Sequence, residues 1–185
     1  MTLVAAVLAA GGGTRFTGGT HKLLTPFRGR CLVSWSIEQA LLAGFDETIV
    51  VTGGTALEQV IPAGVVVVPN PAWASGQASS LKRAVAHARS QGHEALIVGL
   101  ADQPMIPASA WRAVASASTP IVVATYGGRR ANPVKLSAAV WDLLPNEGDV
   151  GARALMARRV DLVGEVACVG DPADIDTLED LDRWS

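Results

Sequence analysis

The chain has 185 residues, 49% of them hydrophobic, which is enough to bury one sizeable core, so we expect a single domain over residues 1–185. A formal charge of −2 and a pI near 5.9 argue against a protein that binds nucleic acid or an anionic membrane. No apolar run approaches the roughly 20 residues that cross a membrane. Two cysteines without CxxC spacing give no sign of a zinc site and favour a cytoplasmic location.

Short apolar runs predict six strands. In chain order they are Leu3–Leu8, Thr48–Val51, Val65–Val68, Ala95–Leu100, Ile121–Thr125 and a later run near Asp161–Cys168. Their near-continuous Val, Ile, Leu and Ala content is typical of strands buried on both faces of a parallel sheet. The first run lacks a basic flank and leads straight into a glycine loop, so it predicts a core strand rather than a signal peptide.

Helical patterns separate these strands. A first helix, ended by Gly44, has apolar residues at helical spacing at Val33, Ile37, Ala40 and Leu41. A second helix, with Ser79 and Ser80 as its predicted N-cap, has them at Leu81, Ala84, Val85 and Ala88. Pro107 suits the first turn of a third helix that carries Trp111. This alternation predicts a three-layer α/β/α sandwich with a mostly parallel sheet, in which Val68–Gly76 and Tyr126–Pro133 are loops.

The loop after the first predicted strand is suited to an anion. Gly11, Gly12 and Gly13 let backbone N–H groups approach a phosphate closely, and Arg15 and Lys22 add positive charge. The dinucleotide fingerprint needs a third glycine where Phe16 stands, and a P-loop needs Lys directly after Gly, so neither template fits. The loop nevertheless predicts a nucleoside triphosphate site.

Asp102 follows the predicted strand Ala95–Leu100 and should lie at the same sheet edge as the glycine loop, where open α/β sheets bind ligands. Triphosphate with Mg²⁺ needs such a carboxylate. Spacing alone supports equally well an Asp that caps a helix ahead of Pro104.

A second carboxylate is expected from Asp174 or Asp176. Alternation in an extended segment points them apart, so only one faces the site directly. Asp176 or Thr177 could instead open a capping box with Glu179 or Asp180. His21 is interpreted as an exposed loop histidine rather than a general base. The tryptophans are expected to pack in the core or at its edge, with Trp73 as the one candidate for stacking on a base.

Six motifs in chain order resemble the nucleotidyltransferases that attach a nucleotide to molybdopterin. They are Leu8-Ala9-Ala10-Gly11 through Arg15 to Lys22-Leu23-Leu24; Asn70-Pro71 to Ser79-Ser80-Leu81; Ala101-Asp102-Gln103-Pro104; Gly128-Arg129-Arg130-Ala131-Asn132-Pro133; Gly148-Asp149-Val150-Gly151-Ala152-Arg153; and Asp174-Ile175-Asp176-Thr177. Ala10 is similar to the cytidylyltransferase variant, since the guanylyltransferases usually carry a glycine there. This resemblance therefore implies a preference for CTP over GTP.

The resemblance implies a fold like that of the nucleotide-diphospho-sugar transferases and a Mg²⁺-dependent transfer of CMP from CTP to the terminal phosphate of molybdopterin. Its catalytic residues would be Lys22, Arg15 and Asp102, and its metal ligands Asp102 and Asp176. The nucleotide would contact Leu8, Ala9, Ala10, Gly11, Gly12, Gly13, Lys22, Ser79 and Ser80. The segments Gly128–Pro133 and Asp149–Arg153 would line the pocket of the second substrate; from the residues alone they are a basic surface turn and an Asp N-cap. Asn132 stands where relatives often have His.

Molybdopterin and CTP are thus the expected partners, with transient contact to molybdenum enzyme apoproteins or their chaperones. Two alternatives stay open. One is a guanylyltransferase, or another nucleotidyltransferase with a different phosphorylated acceptor. The other is an oxidoreductase or assembly partner with the same fold.

Overall fold

A computed structural model describes residues 1–13, 16, 19–145 and 151–184 of the chain. The strands are β1 (Leu3–Ala9), β2 (Pro26–Phe27), β3 (Arg30–Cys31), β4 (Glu47–Thr52), β5 (Val66–Pro69), β6 (Ala95–Leu100), β7 (Ile121–Tyr126), β8 (Arg129–Ser137) and β9 (Val163–Ala167). The α-helices are α1 (Leu32–Leu42), α2 (Gln77–Ser90), α3 (Ala108–Ser116), α4 (Arg153–Arg158) and α5 (Leu178–Trp184).

Seven of these strands form one sheet in the order β5-β4-β1-β6-β8-β7-β9, while β2 and β3 form a small antiparallel pair. Strands β5, β4, β1 and β6 run parallel to one another, and β9 runs parallel to β7. Only β8 is antiparallel to its neighbours within the seven-stranded sheet that the described residues form. The prediction of a mostly parallel sheet is confirmed.

The two faces of the sheet bury separate apolar clusters. Along β1, Ala5 and Val7 face the cluster that α1 and α3 cover, whereas Val4 and Ala6 face the cluster that α2 and α4 cover. Alternate residues of a strand point to opposite faces, so helices on both sides explain why the whole strand is apolar. The predicted three-layer α/β/α sandwich is therefore confirmed.

The six predicted strands are all present, with small differences at their ends, but three strands of the described residues were not predicted: the short pair β2 and β3, and the longer β8. The segment Tyr126–Pro133 was expected to be a loop, yet β8 begins at Arg129 and only Gly127 and Gly128 form the turn before it. Its partner β7 changes register between Val123 and Ala124, and this irregularity lies opposite Pro133, which has no N–H to donate.

The predicted N-cap of α2 is wrong. The helix begins at Gln77, and its N-cap is Gly76, whose φ of 105° lies in a region that residues with a side chain rarely adopt. Ser79 and Ser80 lie inside the first turn instead. Gly44, by contrast, has a φ of 74° and donates to Leu41 O just after α1, as the predicted helix stop requires.

Within the described parts of the chain, no helix combines the length and the apolar character that spanning a membrane requires.

Candidate active site

The carboxyl ends of β1 and β6 and the turn after β5 open into a cavity of about 530 Å³. Its lining is Leu8, Ala9, Ala10, Gly11, Gly12, Gly13, Phe16, Lys22, Leu23, Trp73, Ala74, Gly76, Gln77, Ser80, Leu100, Ala101, Asp102 and Asp176. Strands that run parallel end at the same edge, so segments distant in sequence meet there. The structure thus brings together every described residue that was predicted to bind the nucleotide except Ser79, which lies one residue away from the lining.

Backbone hydrogen bonds fix the path of the loop after β1. Ala101 donates to Leu8 O at 3.1 Å, and Gly54 donates to Ala10 O at 3.2 Å. The loop is therefore tied to the residues after β6 on one side and to those after β4 on the other. Ala9 and Ala10 are buried, whereas Gly11 is exposed. The glycine segment can consequently turn its backbone toward the cavity.

One ammonium group joins two carboxylates at the floor of the cavity. Lys22 Nζ donates to Asp102 Oδ2 at 2.7 Å and to Asp176 Oδ1 at 2.8 Å, and Lys22 is only 9% exposed. Burial by itself would lower the pKa of Lys22, but the charges of Asp102 and Asp176 outweigh that effect and raise it. Lys22 is thus held as a cation.

His21 positions Lys22 and is not the exposed residue that the sequence suggested. Its Nδ1 accepts a hydrogen bond from Leu23 N at 3.3 Å, which caps the short 3-10 turn Lys22–Leu24. The ring lies half-buried against the glycine loop, 3.2 Å from the point where a Cβ on Gly13 would stand. Burial lowers the pKa of His21, so the ring favours its neutral form.

Asp102 does not cap a helix. The next helix, α3, begins at Ala108 with Pro107 as its N-cap, so five residues separate Asp102 from the helix start. Its backbone O accepts from Ile175 N at 2.9 Å, which brings the segment around Asp176 against the end of β6. The carboxylate of Asp102 is therefore left for Lys22 and the cavity.

The segment before α5 contains both of the features between which the sequence did not decide, a capping box and a carboxylate that faces the site. Thr177 and Asp180 form a capping box: Thr177 N donates to Asp180 Oδ2 at 3.0 Å, and Asp180 N donates to Thr177 Oγ1 at 3.1 Å. Asp176 also donates its N–H to Asp180, while its carboxylate contacts Lys22. The cap and the contact with Lys22 are thus compatible because they use different residues.

Asn70 is a residue of this region whose role sequence reasoning missed. Its buried side chain donates to Ser79 Oγ at 2.8 Å and to Ser80 Oγ at 3.0 Å, and its Oδ1 accepts from Ala72 N at 3.1 Å. Ser79 in turn donates to Gly76 O at 2.8 Å. These contacts clamp the turn after β5 onto the first turn of α2. An Asn-Pro pair directly after a buried strand was the available signal.

A second cavity of about 370 Å³ adjoins the first, since Leu8, Gln77 and Leu100 line both. It has an apolar floor made by Leu81, Val98, Val123, Val134, Leu136 and Met156. Its polar wall includes Asp174, Gln103 and Asn132, with Asn132 Nδ2 donating to Gln103 Oε1 at 2.9 Å.

Asp174 and Asp176 line different cavities, as the alternation argument predicted. Burial, and then the charge of Asp102, raise the pKa of Asp174. Two basic residues, Arg130 and Arg153, also line the second cavity, and Arg130 is ion-paired with Glu165 at 2.7 Å. Arg15 and Asp149, which the sequence assigned to the two pockets, lie outside the described residues.

The donor set at Asp102 and Asp176 fits a magnesium ion. Two carboxylates already share one cation, and Mg²⁺ in nucleotide sites is held by one or two carboxylates together with phosphate oxygens and waters. Across the described ranges, no group of three or more His, Cys, Asp or Glu side chains is arranged to hold a metal.

Known proteins are similar to this chain in sequence and in fold. Residues 5–163 match the family model described as the MobA-like NTP transferase domain. The chain is 31% identical to the nicotine blue oxidoreductase of Paenarthrobacter nicotinovorans, over 96% of this chain and 93% of that protein. Among solved structures it is similar to a nucleotidyl transferase from Methanothermobacter (TM-score 0.84, 25% identity, 98% and 95% covered). It is also similar to Rv0371c of Mycobacterium tuberculosis H37Rv in complex with manganese (TM-score 0.81, 28% identity, 100% and 98% covered).

Proposed function

Since the chain belongs to the family of MobA-like NTP transferase domains, and is therefore a nucleotidyltransferase, we propose that it transfers CMP from CTP to the terminal phosphate of molybdopterin. The observation that carries this proposal is the floor of the first cavity, where the Lys22 ammonium and the Asp102 and Asp176 carboxylates lie below the glycine loop. The acceptor is proposed to occupy the adjoining second cavity.

The glycine loop and Lys22 would bind the triphosphate. Backbone N–H groups of Gly11, Gly12 and Gly13 offer donors without side chains in the way, and Lys22 supplies a positive charge that Asp102 and Asp176 hold in place. Arg15 is proposed to add a second cationic contact. Positioned charges of this kind stabilise the charge that builds up as a phosphoryl group is transferred.

Asp102 and Asp176 would hold Mg²⁺, which when bound neutralises phosphate charge and orients the α-phosphate. Their carboxylates now bind the Lys22 ammonium at 2.7 and 2.8 Å. Mg²⁺ would compete with the Lys22 ammonium for these carboxylates, so binding of the metal and contact of Lys22 with the phosphates are proposed to be coupled.

A general base is not required by this chemistry. The attacking group is a phosphate monoester, which is already anionic at neutral pH, so the residues need only align it and neutralise charge.

Pyrophosphate release tests the proposal. The purified chain is incubated with Mg²⁺, molybdopterin and each of CTP, GTP, ATP and UTP in turn. We expect release with CTP well above the other three and none without molybdopterin. Preference for GTP would overturn the cytidylyl assignment. Pyrophosphate release from CTP only with another phosphorylated acceptor would overturn molybdopterin as the acceptor.

A second candidate is an oxidoreductase, because the 31% identical relative carries that name. The sequence here lacks the third glycine of the dinucleotide fingerprint, having Phe16 in its place, which disfavours nicotinamide binding. Oxidation of NADH and NADPH by the same preparation, followed by absorbance with a quinoid dye as acceptor, decides between the candidates.

We propose one nucleotidyltransferase domain over residues 1–185 that acts in the cytoplasm, with its two cysteines, Cys31 and Cys168, as free thiols. Transient contact with molybdenum enzyme apoproteins or their chaperones would deliver the product.

A further inference from the structure

The first cavity has two chemically different ends. One end is charged and contains Lys22, Asp102 and Asp176, which are joined by hydrogen bonds. The lining away from these groups is formed by Trp73, Ala74 and Ala10, with Ser80 and Gln77 as its polar members. A nucleoside triphosphate has the same division, because its phosphates are anionic and its base is flat and aromatic. The aromatic end is therefore the end that suits the base.

Trp73 lies as close to the loops of the sheet edge as glycine allows. A Cβ built on Gly53 would stand 2.6 Å from Trp73 Cβ and 2.8 Å from both Cβ and O of Ala10. A Cβ built on Gly54 would stand 3.1 Å from the indole atoms Cη2 and Cζ2. Ala10, the two glycines and Trp73 thus form one continuous wall, in which the indole cannot move further toward the sheet.

The backbone that carries Trp73 is also held firmly. Trp73 N donates to Asn70 O at 3.3 Å, and Gly76 N donates to Trp73 O at 3.2 Å. Asn70 itself is 2% exposed and is bonded to both serines of the first turn of α2. On the other side, Gly54 N fixes the carbonyl of Ala10. Hydrogen bonds thus hold the backbone on both sides of this wall.

We propose that Trp73 determines nucleobase specificity, by limiting the base end of the cavity to a pyrimidine, an inference that rests on the proposed cytidylyl transfer. A purine carries a second fused ring, and in this proposal that ring would meet the indole. Ala10 contributes less, because the hydrogen bond from Gly54 holds its carbonyl whatever its side chain. Discrimination against GTP therefore depends on Trp73 more than on Ala10.

Binding measurements without an acceptor test this directly, since they do not depend on what the acceptor is. Dissociation constants for CTP and GTP with Mg²⁺ are measured by calorimetry for the wild type and for Trp73→Ala, Trp73→Phe and Ala10→Gly. We expect Trp73→Ala to weaken CTP binding about tenfold, because the contact between the base and the indole is lost. The same substitution should leave the dissociation constant for GTP unchanged or lower it. The ratio of the two constants then falls at least tenfold, whereas Ala10→Gly changes it by less than about threefold.

Two further variants distinguish a specific role of Trp73 in the cavity from a general loss of structure. Gly54→Ala places a methyl group 3.1 Å from the indole and pushes it toward the base, so CTP should weaken without any gain in GTP binding. Trp35→Ala removes another half-buried tryptophan, which packs on Phe27 outside the cavity, and should leave the ratio unchanged.

The outcomes are distinct. A wild type that binds neither nucleotide, or prefers GTP, overturns the proposed cytidylyl function. If the wild type prefers CTP and a folded Trp73→Ala variant keeps the same ratio of the CTP and GTP dissociation constants, only the proposed role of Trp73 is overturned. A larger effect from Ala10→Gly than from Trp73→Ala overturns the ranking of the two residues.

Discussion

A single lysine holds the two carboxylates that the proposed reaction needs. Lys22 is 9% exposed and contacts Asp102 and Asp176 at 2.7 and 2.8 Å. Carboxylates this close to each other would repel without a cation between them. Lys22 therefore has a structural role in the free protein as well as the phosphate-binding role proposed for the loaded one.

Lys22→Ala should lower kcat/KM for CTP by about 10²–10³-fold, the usual cost of one preorganised charge-stabilising donor. In EDTA it should also lower the free energy of unfolding by about 1–3 kcal/mol, because Asp102 and Asp176 lose the cation they share. Mg²⁺ should restore most of that stability but not the activity. Lys82→Ala, which changes an exposed lysine of α2, is the control. Normal turnover in Lys22→Ala would remove this residue from the active site.

The two neighbouring aspartates should differ in their effect on metal. Asp176 contacts Lys22 in the first cavity, whereas Asp174 lines the second. Asp176→Asn should raise the Mg²⁺ concentration for half-maximal activity about tenfold or more, because an amide is a weaker ligand than a carboxylate for a hard cation. Asp174→Asn should change it by less than about threefold. The reverse order, measured by Mg²⁺ titration of pyrophosphate release, would assign the metal to Asp174.

At the scale of elements, the parallel strands of the seven-stranded sheet were predictable and its antiparallel strand was not. Strands such as β1 and β4 are covered on both faces, so nearly every position is apolar and the run is visible in the sequence. Strand β8 instead begins with exposed Arg129 and Arg130 and contains Pro133, all of which are typical of a turn. Its pairing with two neighbours is a tertiary effect, and the register change opposite Pro133 has no local signature.

The same distinction holds for the site. Asp102 and the glycine loop directly follow predicted strands, so the rule that parallel strands end at one edge placed them together. Asn70 and Trp73 belong to a turn that packs against Gly53, Gly54 and Ser79. These contacts join segments that lie apart in the sequence, and no periodic pattern of residues predicts them. The charged end of the cavity was therefore foreseen, and the shape of its aromatic end was not.

Strand β8 also carries a buried lysine that the proposed reaction does not use. Lys135 is 2% exposed, and its Nζ donates to the carbonyl oxygens of Ala115 and Ala117 where α3 ends. Burial lowers the pKa of Lys135 below its ordinary value of 10.5. The folded state therefore disfavours the charged form that the unfolded chain retains up to pH 10.5.

The stability of the wild type relative to Lys135→Met should accordingly rise with pH. Below the pKa that Lys135 has in the folded protein, the wild type loses the full free energy needed to bury the charge, which is about 1.4 kcal/mol for each unit by which the pKa is lowered. This loss disappears as the pH approaches 10.5. Urea unfolding of both proteins between pH 7.5 and 10 gives this difference, in which the titrations common to both cancel. A difference that does not change over this range would show that Lys135 keeps its ordinary pKa when buried.

At the scale of the whole molecule, the candidate site belongs to no single element. Its lining comes from the ends of β1 and β6, the turn after β5, the start of α2 and the segment before α5. A ligand that contacts all of these at once binds the folded chain and has no counterpart in the unfolded one. Binding should therefore stabilise the entire sheet rather than one loop.

CTP with Mg²⁺ at about 100 times its dissociation constant should stabilise the chain by about 2.7 kcal/mol. For a domain of this size each kcal/mol shifts Tm by roughly 2–4 °C, so Tm should rise by about 5–10 °C. CTP in EDTA should give a clearly smaller shift, because the carboxylates then remain bound to Lys22 and leave phosphate charge uncompensated. Asp102→Ala should reduce the shift with Mg²⁺ to that smaller value, since one of the two proposed metal ligands is gone. Scanning calorimetry of the wild type and of Asp102→Ala, each with CTP and either Mg²⁺ or EDTA, measures these shifts in Tm. An equal shift with and without Mg²⁺ in the wild type would contradict a metal-assisted site.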